Sequence, residues 1–434
     1  MSANPSAAAP CALPGTPLSE VRAGIDACVH CGFCLQSCPT YLTLDDENDS
    51  PRGRIVLMRA AYEGALSLDD PSLRTHIDQC LGCRACETAC PSGVPYGQLL
   101  EATRATIAHR HPQPAVARLV LAVFRNPTLL RLSLLLAKTI RRLGLADLFA
   151  ALPGRAGFAM AMLASTNRKF RGGKYQASAI AADRGTTVLV RGCVMDGLFS
   201  ETNRATERTL RVNGYGVEVA PSPRCCGALH AHAGDLEGAR DLARRNIAAF
   251  EQTRADYIVT NAAGCGAMMK EYGHLLANDP EWSERAERIA VRTRDVTELL
   301  AAAGPRRAGP LHVRATYDAP CHLLHAQRVA TQPLQVLSAI EGLDLVPIAG
   351  ADQCCGSAGI YNLIEPEVSA QVLEPKLNEI RLSTADVVVT GNPGCLMQIG
   401  AGLYLAGRGT RAVHPVDLLD EAYATGIGSR PLRQ

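Results

Sequence analysis

RCCGALH at residues 224–230 returns as QCCGSAG at 353–359, and the interval between the two copies decides how the back half of the chain is read. Adjacent cysteines are poorly placed to bond to each other, because a disulfide needs particular Cα separations and Cβ directions. The repeat extends well beyond the pair. Cys193, Cys225, Cys226 and Cys265 are echoed by Cys321, Cys354, Cys355 and Cys395 at offsets of 128, 129, 129 and 130. The flanking text follows: ADYIVTNAAGCGAM (255–268) matches ADVVVTGNPGCLMQ (385–398), and RTRDVTELLAAA (292–303) matches AVHPVDLLDEAY (412–423). A near-constant offset across four positions implies a duplicated domain of about 125 residues.

Each copy reads strand, helix, strand, CCG loop, helix, strand, helix. The strands are TTVLVRG, VEVAP and DYIVT in the first copy, and VRATY, LDLVPI and DVVVT in the second. Short β-branched runs alternating with helical patterns predict a parallel sheet covered by helices. All eight cysteines then fall just after a strand, at the carboxyl edge where open α/β sheets bind ligands. Each copy thus offers four thiols at one rim, either as a further metal or redox site or as small apolar residues around a tight turn. His230, His232, His322 and His325 stand nearby, and without a complete metal-spacing motif their expected role is ordinary hydrogen bonding or solvation.

The front of the chain carries a different pattern. CVHCGFCLQSCP (28–39) and CLGCRACETACP (80–91) both read C-x2-C-x2-C-x3-C-P. In this bacterial-type run three close thiolates wrap one [4Fe–4S] cube, and the fourth cysteine ligates the other cluster. The ligand sets are therefore Cys28, Cys31, Cys34 and Cys90 for one cluster, and Cys80, Cys83, Cys86 and Cys38 for the other. Structural zinc would leave the third cysteine of each run without a use. Gly32, Gly82 and Gly93 beside the ligands would let backbone amides approach the sulfurs. Between the runs, SPRGRIVLMRAAYEG (50–64) and DDPSLRTHIDQ (69–79) open with proline helix starts, so the frame is expected to be helical.

Composition limits the function. The 434 residues are 47 % hydrophobic and 20 % charged with a net charge of +2, enough for real cores and without the field that nucleic-acid binding needs. Seventeen cysteines with no signal-like start or long apolar run suggest a reducing, cytosolic setting, with peripheral contact at the inner membrane as its extension. In residues 101–150, leucines at helical spacing are interleaved with Arg118, Arg125, Arg131, Lys138, Arg141 and Arg142. Such a segment can lie on an anionic membrane, but the weightier expectation is packing against a partner or the protein's own core. Residues 151–185, rich in Gly, Ala and Arg, read as a flexible connection.

The expected architecture is α+β multidomain: an α-helical two-[4Fe–4S] ferredoxin domain at 18–110, a helical segment and linker at 111–185, and α/β CCG domains at 186–303 and 311–425. From about residue 20 to 425 the chain resembles the iron–sulfur subunit of bacterial glycolate oxidase, through CVHCGFCLQSCPTY, SPRGRI, CLGCRACETACPSGVPY, CCGALHAH, GCGAMMKEYGHLL, APCHLLHAQ, CCGSAGIY and NPGC. KEYGHLLANDP and CHLLHAQ are the discriminating stretches. The resemblance implies an electron-transfer subunit of an oxidoreductase acting on CH–OH donors, with FAD-containing partner subunits oxidising glycolate to glyoxylate. It further implies two [4Fe–4S] clusters, no flavin on this chain and a membrane quinone as acceptor. Related layouts serve lactate and glycerol 3-phosphate oxidation. A heterodisulfide-reductase-like thiol chemistry is the remaining alternative, weakened because Met268 and Gln398 stand where that family has a final cysteine.

Overall fold

The computed structural model describes residues 11–166, 182–220, 225–407 and 409–428. The N-terminal unit is helical around the two cysteine runs. Helix Pro51–Tyr62 begins where the sequence puts it: Ser50 accepts a hydrogen bond from the Gly53 amide at 3.0 Å, and Pro51 occupies the first turn. Asp70 caps Pro71–Asp78 in the same way. Leu18, Ile25, Ile55, Met58, Leu73, Ile77 and Leu99 form a core into which Cys80 and Cys86 are also packed. The cysteine-bearing loops are thereby attached to the buried core of the unit.

Each repeat holds a four-stranded parallel sheet. In the first, β1 (Thr186–Val190), β2 (Gly216–Val219), β3 (Tyr257–Thr260) and β4 (Thr293–Asp295) lie in the order β2-β1-β3-β4. In the second, β5 (Val313–Tyr317), β6 (Leu343–Leu345), β7 (Val387–Val389) and β8 (Arg411–Val413) lie in the order β6-β5-β7-β8. The duplication is thus one of topology as well as of sequence. Val387, Val388 and Val389 are all buried, as expected for a central parallel strand covered on both faces.

The fourth strand of each sheet adds to the expected pattern. β4 (TRD) and β8 (RAV) carry charged residues and lead directly into the next helix, so they give no strand signal of their own. The 151–185 connection also differs from expectation, since Gly154–Ser165 is a helix, with Ala161 packed against Ala401 of the second repeat. Residues 167–181 of that stretch lie outside the described residues.

The repeats are fused through one core that joins Leu210 and Val212 to Val413, Leu419 and Tyr423. Arg208 donates to both carboxylate oxygens of Asp420 at 2.8 and 2.7 Å, and the Ala263 amide donates to the Gly391 carbonyl at 3.1 Å. The helical unit seats on this body through a tight backbone approach. Gly234 has φ +81°, and a Cβ there would lie 2.6 Å from the Arg104 carbonyl carbon and 2.8 Å from the Ala105 nitrogen. Gly234→Ala therefore forces the two units apart and is expected to destabilise the protein by about 1–3 kcal/mol, the usual cost of overpacking. Urea denaturation measures it, and an unchanged midpoint would contradict the contact.

Candidate iron–sulfur sites

Two pockets open among the N-terminal cysteines, and each draws on both runs. One is lined by Cys28, Cys31 and Cys34 of the first run with Cys86 and Cys90 of the second. The other is lined by Cys38 of the first run with Cys80, Cys83 and Cys86 of the second. The loops that shape them turn sharply: Gly32, Gly82 and Gly93 have φ of +88°, +61° and +65°, and His30 and Arg84 also adopt positive φ. At Gly32 the requirement lies in the backbone, because φ +88° is a conformation that residues with a Cβ rarely adopt.

Each pocket gathers at least four cysteines drawn from both runs, the donor set that a four-iron cubane takes. Among the described residues no three cysteine sulfurs lie within 4.8 Å of one another. A zinc ion with bonds of about 2.3 Å would hold all four sulfurs roughly 3.8 Å apart. Burial, reinforced by neighbouring thiols, pushes Cys86 well above the ordinary thiol range. Coordination to a metal is what would remove that proton.

The two pockets differ in exposure. Cys31 is exposed, and Val29 and Phe33 beside it are each 67 % exposed, so the first pocket lies at the surface. Cys38, Cys80, Cys83 and Cys86 are buried. Arg54, with no exposed surface, lines this inner pocket; it ion-pairs with Asp49 at 2.9 Å and donates to Thr40 Oγ1 at 3.0 Å. Sequence reading passed over Arg54. Its only signal was its place in SPRGRI, since a charged residue in a helical pattern normally reads as solvated.

In each repeat the four cysteines come together at the carboxyl edge of the sheet. Cys193 follows β1 and Cys265 follows β3, the two strands between which the strand order reverses, and Cys321 and Cys395 hold the same places after β5 and β7. That crevice is where open α/β sheets bind ligands. In the first repeat, hydrogen-bonding reach runs along Cys193, Cys225, Cys226 and Cys265. In the second it runs along Cys321, Cys354, Cys355 and Cys395, with Cys355 and Cys395 sulfurs 3.3 Å apart.

The inner pocket abuts the second quartet. The Cys83 thiol lies within hydrogen-bonding reach of Cys354, and Leu81, Cys83 and Ala85 pack with Cys354, Tyr361, Val368 and Val372. The second cysteine run is held there by its neighbours: Tyr361 donates to the Gln79 carbonyl at 2.8 Å, and Arg84 ion-pairs with Glu271. His322 Nε2 lies 3.2 Å from the Gly82 carbonyl, and burial pushes that imidazole down to about 3, so the neutral ring donates through Nε2. His325 Nδ1 is 3.0 Å from Thr88 Oγ1, and His232 Nδ1 is 2.8 Å from Glu101. These three histidines are hydrogen-bonded supports, whereas fully buried His230 has no hydrogen-bond partner on either ring nitrogen among the described residues, its Nε2 standing 3.9 Å from the Asp235 carboxylate.

The positions of the missing final cysteines are filled by packing. Met268 belongs to the core of the first repeat. Gln398 is buried, accepts from Asn362 at 2.9 Å and donates to Ser369 at 2.9 Å. The repeats have also diverged beside their thiols. Lys376, buried near Cys355 and Cys395, pairs with Asp318 and donates to the Gly350 carbonyl at 2.8 Å. Its counterpart Asn246 donates to the Cys225 carbonyl at 2.9 Å.

Comparison with known proteins agrees with this division. The family described as "4Fe-4S dicluster domain" matches residues 24–94, and the family described as "Cysteine-rich domain" matches 187–270 and 315–400. The "Probable glycolate oxidase iron-sulfur subunit" of Bacillus subtilis is 38 % identical, covering 91 % of this chain and 93 % of that protein. The "Glycolate oxidase iron-sulfur subunit" of Escherichia coli is 33 % identical over 93 % of this chain and 95 % of that protein. "Lactate utilization protein A" of Geobacillus kaustophilus is also 33 % identical, but over 52 % of this chain and 95 % of that protein.

Proposed function

The chain belongs to the family of glycolate oxidase iron–sulfur subunits, and from that membership we propose that it carries electrons from a partner flavoprotein, where glycolate becomes glyoxylate, toward a membrane quinone. Cys28, Cys31, Cys34 and Cys90 would hold one [4Fe–4S] cluster, and Cys38, Cys80, Cys83 and Cys86 the other. Bound there, the two clusters supply one-electron transfer, which divides the two-electron oxidation of a flavin into single steps. The observation that carries this reading is the pair of pockets, each lined by both runs, one at the surface and one buried against the second quartet.

The protein's own residues set the conditions of transfer. Exposed Val29, Cys31 and Phe33 leave the outer pocket open to a partner. Burial of Cys80, Cys83 and Cys86 keeps water from the inner one, and Arg54 places a positive charge beside it. Glycolate is favoured over lactate as the substrate of the complex because the glycolate oxidase relatives align over nearly the whole chain and the lactate relatives over about half.

Iron analysis tests the assignment. The purified chain is expected to hold about eight iron atoms, to lack glycolate oxidation alone, and to support quinone reduction when combined with its flavoprotein partners. Glycolate oxidation by the isolated chain would overturn it. Iron near twelve would add the second reading, supported by the thiol strings at the sheet edges, in which a repeat carries a further cluster.

A further inference from the structure

Helices Ala115–Arg125 and Pro127–Arg142 present apolar side chains outward. In Pro127–Arg142 no residue is fully buried, and the expected packing against the protein's own core is limited to one face of the helix. Leu132 and Leu136 are 58 % and 60 % exposed, and Leu119 and Leu143 still more so. Leu129, Leu132, Leu136 and Leu143 recur at helical spacing and share one face. Leu130, Leu134, Ala137 and Arg141 recur on the opposite face, where Ala137 packs against the Ala146–Leu163 cluster and Arg141 donates to the Thr166 and Leu198 carbonyls. The exposed face is therefore the one left over after the helix has docked.

The charge beside that face has one sign. From residue 102 to 146 there is no Asp or Glu and there are eight Lys or Arg. Arg104, Arg110, Arg125 and Arg141 are engaged with the protein: Arg104 with carbonyls, Arg110 with Asp69, Arg125 with Asp241, Arg141 with carbonyls. Arg118, Arg131, Lys138 and Arg142 have no carboxylate partner among the described residues, and the last three form a stripe along the flank of the leucine face. Exposed leucines flanked by cations, with no acidic residue from 102 to 146, suit acyl chains beneath phosphate headgroups. Among the described residues no single helix is long and apolar enough to cross a membrane, and these two helices bend by 106° at their junction.

We propose that this helix pair seats the protein on the surface of an anionic phospholipid bilayer, with Leu129, Leu132, Leu136 and Leu143 in the acyl boundary and Arg131, Lys138 and Arg142 on lipid phosphates. The proposal deepens the electron-transfer reading by naming where the membrane is touched, and its test needs no electron transfer. The full chain is mixed with phosphatidylcholine vesicles with and without phosphatidylglycerol and floated on a density gradient. It is expected to float with the anionic vesicles and to be released by high salt. Arg131→Gln, Lys138→Gln and Arg142→Gln together should lower the partition coefficient on the order of a hundredfold. Leu132→Ser with Leu136→Ser should abolish flotation, while iron content and circular dichroism stay unchanged because the replaced side chains are exposed. Absence of wild-type flotation would overturn the proposal. So would leucine variants that still bind vesicles but no longer bind the flavoprotein, which would make the face a protein interface. Loss of glycolate-dependent quinone reduction with intact flotation would instead count against the functional reading alone.

Discussion

Cys83→Ser is expected to reduce iron from about eight to about four atoms per chain and to stop quinone reduction by the assembled complex. The loss should exceed the roughly 10- to 100-fold that follows removal of a group supporting a ligand, because a ligand itself is removed. The crossed ligand sets make a sharper test. Cys38→Ser should delete the same cluster signal, seen by electron paramagnetic resonance of the reduced protein, as Cys83→Ser, although Cys38 belongs to the first run. Cys90→Ser should delete the same signal as Cys31→Ser. If the Cys38 and Cys31 variants lost the same signal, each run would serve its own cluster and the assignment would fall. Because Cys80, Cys83 and Cys86 lie in or against the unit's buried core, the inner-site variants should also lose thermal stability, since metal binding there is part of folding.

Arg54→Met is expected to cost about 3–5 kcal/mol, the penalty for removing one partner of a buried ion pair. The guanidinium has no exposed surface and serves four acceptors: the Asp49 carboxylate, the Asp49 carbonyl, Thr40 Oγ1 and the His76 carbonyl. Its removal leaves the Asp49 carboxylate, which is 4 % exposed, without its arginine and facing His76 Nδ1 at 3.1 Å. Adding Asp49→Asn to Arg54→Met should recover part of the loss, which urea denaturation would read directly. A second effect separates charge from folding. Arg54 lines the inner pocket beside Cys38 and Cys80, so losing its positive charge should lower the reduction potential there. A redox titration of the folded fraction showing an upward shift would contradict that role.

The fold was legible to different depths in different places. Eight matched cysteines and the strands preceding them predicted two parallel-sheet repeats, because β-branched runs and turn residues act over a few neighbours. The strands β4 and β8 escaped notice because TRD and RAV carry charged residues and lead straight into the next helix, whereas the equally short VVV of β7 is wholly β-branched. The cysteine runs gave their chemistry away for a similar reason, since C-x2-C-x2-C wraps a cube within a single loop. Arg54 did not, because nothing in SPRGRI tells whether the second arginine points to water or into the core. His322 and His325 were read as ordinary hydrogen-bonding residues, and they are; what they hold is a loop more than two hundred residues earlier in the chain.

The sequence by itself determined the spacing of the cysteines, the duplication and the parallel sheets, all properties of short stretches governed by local geometry. Tertiary structure alone decided three further matters. It set Cys83 against Cys354, it buried Arg54, and it chose which apolar arc of Pro127–Arg142 faces the protein. That helix carries leucine on more than one side, so its pattern is compatible with either orientation. Only the neighbours that the chain brings alongside, Leu163 and the Thr166 and Leu198 carbonyls, fix the leucines at 132, 136 and 143 on the outside.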